Sequence, residues 1–251
     1  MNAFTDKFSF RPEWTLRTAV ERERFITDAS STLVPHAMQV LEALTGSDGR
    51  FTNELSACQI EDRTGPFEVK DILDQLKYND ELLETACRTL GLKVLCAEVG
   101  PDDMCLDVFP HERYQQMVQK MSMAELRAAC QITGTHVHIG MPGPHTAINV
   151  YNQVISHLDE LVEMGDNSKG RRLEIYRIVK PNCHPKPYNS WQDFNDQALA
   201  LGFAENPRNN WDLIRISRHG TIEFRLFGVT KDREQVVFWA RRCHELCATY
   251  L

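Results

Sequence analysis

The chain has 251 residues, 42 % hydrophobic and 25 % charged, an ordinary globular composition with enough length to bury a sizeable core. Its formal net charge is −7 and its basic residues form no long run, which argues against a nucleic-acid partner. No stretch approaches the roughly 20 apolar residues of a membrane span, and the opening MNAFTDKFSFRPEW lacks the charged-then-apolar order of a secretion signal, so the expected location is cytoplasmic.

Residues 15–27, TLRTAVERERFIT, alternate apolar and polar side chains and end in Phe-Ile-Thr, which predicts a strand. Pro35 opens a short amphipathic helix, HAMQVLEALTG, closed by Gly46. A strand-like FTNELSACQIE follows at 51–61. Gly65-Pro66 then breaks the chain before a long helical stretch, EVKDILDQLKYNDELLETACRTLG, ending at Gly91. LKVLCAEVG reads as a strand. HERYQQMVQKMSMAELRAACQ has helical composition and runs into ITGTHVHIGMPGP, where β-branched residues alternate with histidines in a strand that ends in a turn. HTAINVYNQVISHLDELVEMG is an amphipathic helix, followed by a basic loop, NSKGRR, and a Pro-rich loop, KPNCHPKPYNS. WQDFNDQALALG is a short helix, WDLIRISRHGTIEFRLFG a hairpin turned at His219-Gly220, and DREQVVFWARRCHELCATYL a closing helix. Strands interleave with long helices, without the even βα rhythm or glycine-rich fingerprint of a dinucleotide-binding fold. The expected fold is α+β, a largely antiparallel sheet with flanking helices, in a single domain over 1–251. The eight cysteines form no CxxC pair, so reduced, mostly buried thiols are expected instead of a zinc knuckle or redox centre.

Three pairs of residues carry the chemistry. On a strand, Glu21 and Glu23 point to one side, where two like charges are unfavourable unless a cation lies between them. Hard divalent ions suit such oxygens; the competing account is a charged edge strand facing solvent, with Arg22 and Arg24 on the other side. His136 and His138 also share a strand face, and buried imidazoles need partners for their ring nitrogens. Such a pair can bind Zn²⁺ in a hydrolase, can place one histidine on a metal and the other toward a nucleotide, or can be satisfied by backbone. Glu223 and Arg225 share a face while Ile222, Phe224 and Leu226 face a core. They are either a plain same-strand ion pair or a division of labour: Glu223 on a metal, with Arg225 and Arg215 of the preceding strand neutralising charge on a transferred phosphoryl group. Glu54 and Glu61 add two more carboxylates, with Gln59 on the Glu61 face.

In order along the chain these segments resemble the glutamate-cysteine ligase type 2 family, carboxylate-amine ligases related to glutamine synthetase. Val20-Glu21-Arg22-Glu23-Arg24-Phe25 is similar to the family's V-E-x-E-x-F, and Glu54 through Gln59-Ile60-Glu61 with Thr64 to its E-x4-Q-[VI]-E-x2-T. Glu112-Arg113-Tyr114 resembles its ERY, Gly134-Thr135-His136-Val137-His138-Ile139-Gly140 its G-x-H-V-H-V-G, and His219-Gly220-Thr221-Ile222-Glu223-Phe224-Arg225 its G-T-[VI]-E-x-R. Trp211-Asp212 with Arg215 is similar to W-D-x-R-P-S with one extra residue and no proline, and Asn152 and Tyr176-Arg177 fall near weaker family positions. The resemblance implies a funnel of antiparallel strands, with ATP entering one end and an amino-acid carboxylate, glutamate by the family's default, the other. It implies Mg²⁺, or Mn²⁺ in its place, with Glu21, Glu23, Glu54, Glu61, His136 and Glu223 as metal ligands. His138 would contact the nucleotide, and Arg215 and Arg225 phosphate or substrate carboxylate. The product would be an amide of γ-glutamyl type, made through an acyl phosphate. A zinc hydrolase, or a non-catalytic relative that binds a nucleotide or amino acid, are the rival expectations. The family's GTHPF-like segment before ERY is replaced by AEVGPDDMCLDVFPHERY, and its usual C-terminal helices do not follow Leu251, so a homo-oligomer or a partner subunit supplying them is expected.

Overall fold

The computed structural model describes residues 4–251. Among these, seven strands form an antiparallel sheet: β1 (Thr18–Thr27), β2 (Phe51–Asn53), β3 (Gln59–Arg63), β4 (Lys93–Leu95), β5 (Thr135–Gly140), β6 (Ile214–Ile216) and β7 (Thr221–Phe227). Their order is β2-β3-β1-β5-β7-β6, with β4 paired to the end of β1. β1 is therefore central, flanked by β3 and β5, and the solvent-facing edge strand does not describe it. The helices are α1 (Ala37–Ala43), α2 (Ile72–Thr89), α3 (Glu112–Val118), α4 (Met123–Gln131), α5 (Pro144–Val154), α6 (Leu158–Gly165), α7 (Arg171–Val179), α8 (Trp191–Ala200) and α9 (Arg233–Tyr250). The α+β reading with an antiparallel sheet and flanking helices holds.

Several boundaries differ from the sequence expectation. The strand expected over 51–61 is two strands, because residues 54–58 turn the chain so that β2 and β3 pair with each other. The helical stretch 111–131 is split at Ser122, whose hydroxyl accepts from the Glu125 N–H at 3.2 Å while the Glu125 carboxylate accepts from the Ser122 N–H at 2.7 Å. That capping box starts a new helix and ends the old one. The 145–165 helix is α5 and α6 joined by a 3-10 turn at Ile155–His157. α7 lies where a basic loop was expected to lead into the Pro-rich one. Its buried positions, Arg172, Leu173, Ile175 and Tyr176, share one helical face.

One face of the sheet is apolar through Val20, Val137, Ile139, Ile222 and Phe224, all fully buried. These pack in one core with Tyr151 of α5, Leu161 of α6 and Trp239 of α9. A second core joins Phe25 and Ile60 to α1, the later turns of α2 and Tyr114 of α3. Where β1 and β3 meet, this back face is ionic. Arg22 bonds Asp62 at 2.9 Å and Asp80 of α2 at 2.7 Å, and Arg24 reaches the same two carboxylates at 2.6 Å each. Arg233, at the start of α9, also binds Asp80. Buried charge requires such dense pairing. The cluster ties α2 and α9 to the back of the strands whose front carries the glutamates.

Candidate active site

The opposite face of the sheet floors a cleft of about 310 Å³. Antiparallel register lines up its charged residues in adjacent rows: Glu23 faces Glu61, Glu21 lies between Arg63 and His136, His138 faces Glu223, and Glu223 faces Arg215. The i, i+2 repeat on each strand keeps each pair on that one face. All nine predicted site residues (Glu21, Glu23, Glu54, Glu61, His136, His138, Arg215, Glu223 and Arg225) line this cleft. Glu54 arrives from the turn after β2, so its place depends on the 54–58 turn and not on strand periodicity.

At one end of the row Glu223, 1 % exposed, is held by arginines. Arg215 donates to its two carboxylate oxygens at 2.7 and 2.9 Å, a bidentate pair, and Arg225 adds a bond at 2.6 Å. Burial opposes ionisation, but Arg215, His138 and Arg225 hold the Glu223 carboxyl far below its usual range. In the middle, Glu21 lies 3.5 Å from His136 Nδ1 and 3.3 Å from His138 Nε2. Against the cost of burial, the two imidazoles keep the Glu21 carboxyl well below normal. His138 is pushed up because Glu21 and Glu223 outweigh its burial, whereas burial and Arg225 push His136 down. His138 Nδ1 meets the Thr221 hydroxyl at 2.8 Å, which turns its Nε2 toward the carboxylates.

The other end carries excess negative charge. Glu23 accepts the Gly134 N–H at 2.7 Å, and Glu61 has Arg63 at 2.8 Å. Even so, burial and the Glu23 carboxylate raise Glu54 to about 7, and burial with Glu21 and Glu54 beside it raises Glu61 well above its usual value. Carboxylates crowded in this way hold a proton or a cation.

The donor set fits divalent cations. Three groups, Glu21–His138–Glu223, Glu21–Glu61–His136 and Glu23–Glu54–Glu61, each bring one ligand atom per residue within 4.8 Å of the others. Two of the imidazole nitrogens involved, His136 Nδ1 and His138 Nε2, are buried and make no hydrogen bond. Carboxylate-rich sets suit hard ions better than zinc, whose structural sites are closed by thiolates and imidazoles. Both histidines enter such groups, so geometry gives His138 a metal-competent position as well as the nucleotide-facing one expected for it.

Sequence reasoning passed over several cleft residues. Arg63 continues the Glu61 face by the same two-residue step and was legible in that pattern. Arg172, 3 % exposed, donates to the Thr133, Arg225 and Leu226 carbonyls at 2.7, 3.1 and 3.2 Å, bridging the starts of β5 and the end of β7. Of the weaker motif positions, Asn152 bonds the Tyr188 backbone and, like Arg177, lies away from the cleft lining, while Tyr176 lines the cleft; Thr64, which closes the Glu54–Glu61 motif, accepts the Val20 N–H at 3.0 Å.

The fold defines the class first. The sheet and helices superpose on the bifunctional glutathione synthetase of Pasteurella multocida over 94 % of this chain and 40 % of that one, with a TM-score of 0.64 at 12 % identity. The glutamine synthetase of Plasmodium falciparum matches over 93 % of this chain and 51 % of its own, with a TM-score of 0.51 at 11 % identity. The architecture is thus glutamine synthetase-like. Within it, the chain belongs to the glutamate-cysteine ligase family 2, whose model matches residues 9–241. Among curated relatives, the "Putative glutamate--cysteine ligase 2-3" of Rubrobacter xylanophilus is 24 % identical over 96 % of this chain, and the "Putative glutamate--cysteine ligase 2" of Gloeobacter violaceus is 27 % identical over 73 %. The matches span 71 % and 54 % of those two proteins.

Proposed function

We propose that this chain condenses a carboxylate with an amine at the expense of ATP, forming an amide, with glutamate as the acid. Family membership supports the reaction class. The structural observation that carries the reading is the run of three overlapping ligand groups on one sheet face, with Arg215 and Arg225 at one end. Glu21, Glu23, Glu54, Glu61, the two histidines and Glu223 would hold Mg²⁺ or Mn²⁺, and the ions would draw phosphate and carboxylate oxygens together and offset their charge. In the reaction a carboxylate oxygen of the acid bonds to the γ-phosphorus as the bond to ADP breaks. The amine nitrogen then bonds to the acyl carbon, phosphate leaves, and the nitrogen loses a proton. Arg215 and Arg225 fix Glu223 and place positive charge beside the phosphoryl group as it transfers. Burial of the floor keeps water from competing for the activated acid.

The test is incubation with Mg²⁺-ATP, glutamate and hydroxylamine. Hydroxamate and ADP in equal amounts, both dependent on glutamate, are expected. ADP formed without glutamate dependence overturns the reading, and so does hydrolysis supported by Zn²⁺ with no nucleotide.

A further inference from the structure

The hairpin that joins β6 to β7 carries two hydroxyls whose contacts run from the histidine row to the cleft. Ser217 and Thr221 stand at its closed end, where the Ser217 N–H donates to the Thr221 carbonyl at 2.9 Å and the Gly220 N–H to the Ser217 carbonyl at 3.0 Å. Gly220 makes this turn possible: its φ is +70°, and a Cβ there would come within 2.6 Å of Phe10 Cα and the Ser9 carbonyl. By the two-residue step Thr221 continues the row of Glu223, and Ser217 continues that of Arg215. His138 Nδ1 and the Thr221 hydroxyl are 2.8 Å apart, the Thr221 and Ser217 hydroxyls 2.9 Å apart, and the His219 N–H donates to the Ser217 hydroxyl oxygen at 3.1 Å. A cation on His138 Nε2 leaves the ring hydrogen on Nδ1, which donates to Thr221. Thr221 then turns its own hydrogen to Ser217. A hydroxyl has one hydrogen and two lone pairs, so Thr221 and His219 fill both acceptor positions on Ser217 and leave its hydrogen unused. Among the described residues the Ser217 hydroxyl has no other partner, and Ser217, 2 % exposed, lines the cleft.

We infer that Ser217 is a binding residue for the transferred group, its hydroxyl hydrogen aimed into the cleft as a hydrogen-bond donor to an oxygen of the terminal phosphoryl, and that Thr221 positions it by tying it to His138. The identity of the group rests on the ligase reading. The proton stays on Ser217 throughout, so the residue orients the phosphoryl and offsets its charge without acting as an acid. Such a donor is needed because the guanidinium of Arg215 is spent on the protein: Nε and Nη2 bond Glu223, and Nη1 bonds the Arg208 and Asn210 carbonyls. Arg215 thus supplies charge beside the phosphoryl, while Ser217, two residues on, supplies a free N–H-like donor of fixed direction.

The test compares the full chain with Ser217→Ala, Thr221→Val, Thr221→Ser and the double variant Ser217→Ala/Thr221→Val. Mn²⁺ affinity is read by electron paramagnetic resonance. Calorimetry in Mg²⁺ gives the affinities of ADP and of the nonhydrolysable ATP analogue with an imido bridge to its terminal phosphate. Ser217→Ala is expected to keep the wild-type affinities for Mn²⁺ and ADP and to bind the analogue about tenfold or more weakly, the worth of one hydrogen bond to a charged group. Thr221→Val should weaken the analogue at least as much and also lower Mn²⁺ affinity by about tenfold or more, because His138 loses the partner that orients it. Thr221→Ser, which keeps the hydroxyl, should restore both. The double variant should bind the analogue as Thr221→Val does, since the two residues act in one chain. Wild-type affinity for the analogue in Ser217→Ala, a loss shared equally by ADP, a Thr221→Ser variant as weak as Thr221→Val, or losses that multiply in the double variant each overturn the inference. None of these readouts needs turnover, so a chain that shows the expected pattern but forms no glutamate-dependent ADP overturns the ligase reading alone. A wild type that binds neither nucleotide overturns both.

Discussion

Glu223 has one neighbouring acid-binding partner on each side of its strand and one on its own: Arg215 across the ladder, Arg225 two residues on, and His138 3.9 Å away on β5. Glu223→Gln keeps the shape and removes the charge that both arginines balance. Turnover in the hydroxamate assay is expected to fall by about 100-fold or more, the scale of losing one electrostatic group from a preorganised site. Far-UV circular dichroism should show the fold retained, although breaking a buried pair costs about 3–5 kcal/mol in general. Unchanged turnover would remove Glu223 from the site. At this scale the sequence was informative wherever function followed a two-residue step, as at Glu21/Glu23, His136/His138 and Glu223/Arg225. Periodicity was silent where a side chain acts from a helix or loop, and there only motif resemblance singled out Glu54 and Arg113. Arg172 is charged and lies in a basic run, so its burial against the backbone of β5 and β7 had no hydropathy signal. Arg208 reaches the cleft only through tertiary packing, and Arg113, although part of the ERY motif, shows its place in the cleft only in the fold.

Among the elements, β1 shows how much the back of a strand can matter to its front. Asp80 of α2 binds Arg22, Arg24 and Arg233, and despite burial these arginines lower its carboxyl to about 2. A carboxyl depressed in the folded state stabilises fully above its unfolded value, near 3.9, and loses that contribution as pH falls toward 2. Urea midpoints measured from pH 6 down to pH 2.5 should therefore decline, and Asp80→Asn should be destabilised at pH 6 by about 3 kcal/mol with a flatter acid limb. An acid limb as steep in the variant as in the wild type would exclude Asp80 as its source. Ser122→Ala tests a simpler element rule, since losing the N-cap of α4 should cost about 1 kcal/mol in the same titration. Element types were legible from periodicity, and their breaks were not. The split at Ser122 depends on a capping box inside a stretch of uniformly helical composition. The 54–58 turn has no glycine or proline to announce it, and α7 was masked by Arg172 on its buried face.

For the molecule as a whole, the crowded carboxylates at Glu23, Glu54 and Glu61 imply that the fold is under electrostatic load without cations. Mg²⁺ at about 100 times its dissociation constant should add about 2.7 kcal/mol of stability, a rise of roughly 5–10 °C in melting temperature for a chain of this size. Thermal scans with and without Mg²⁺ measure it, and Glu54→Gln/Glu61→Gln should reduce the rise while increasing stability in the metal-free scan. No helix among the described residues is long and apolar enough to cross a membrane. The antiparallel architecture was legible because alternating segments and hairpin signals outnumber βα units, but strand order was not, since β1 pairs with β3, β4 and β5 from distant parts of the chain. The two-faced charge of β1 has a consequence for how the sheet assembles. Sliding β1 by one residue would turn Arg22 and Arg24 into the cleft and drive Glu21 and Glu23 against Asp62 and Asp80. The back would then set carboxylate against carboxylate and the cleft would lose two of its ligand carboxylates, so a misaligned sheet is rejected by repulsion behind it and by an unmade site in front. Hydrophobic alternation alone gives a strand a preferred alignment; here the same ten residues also carry a proofreading device for it.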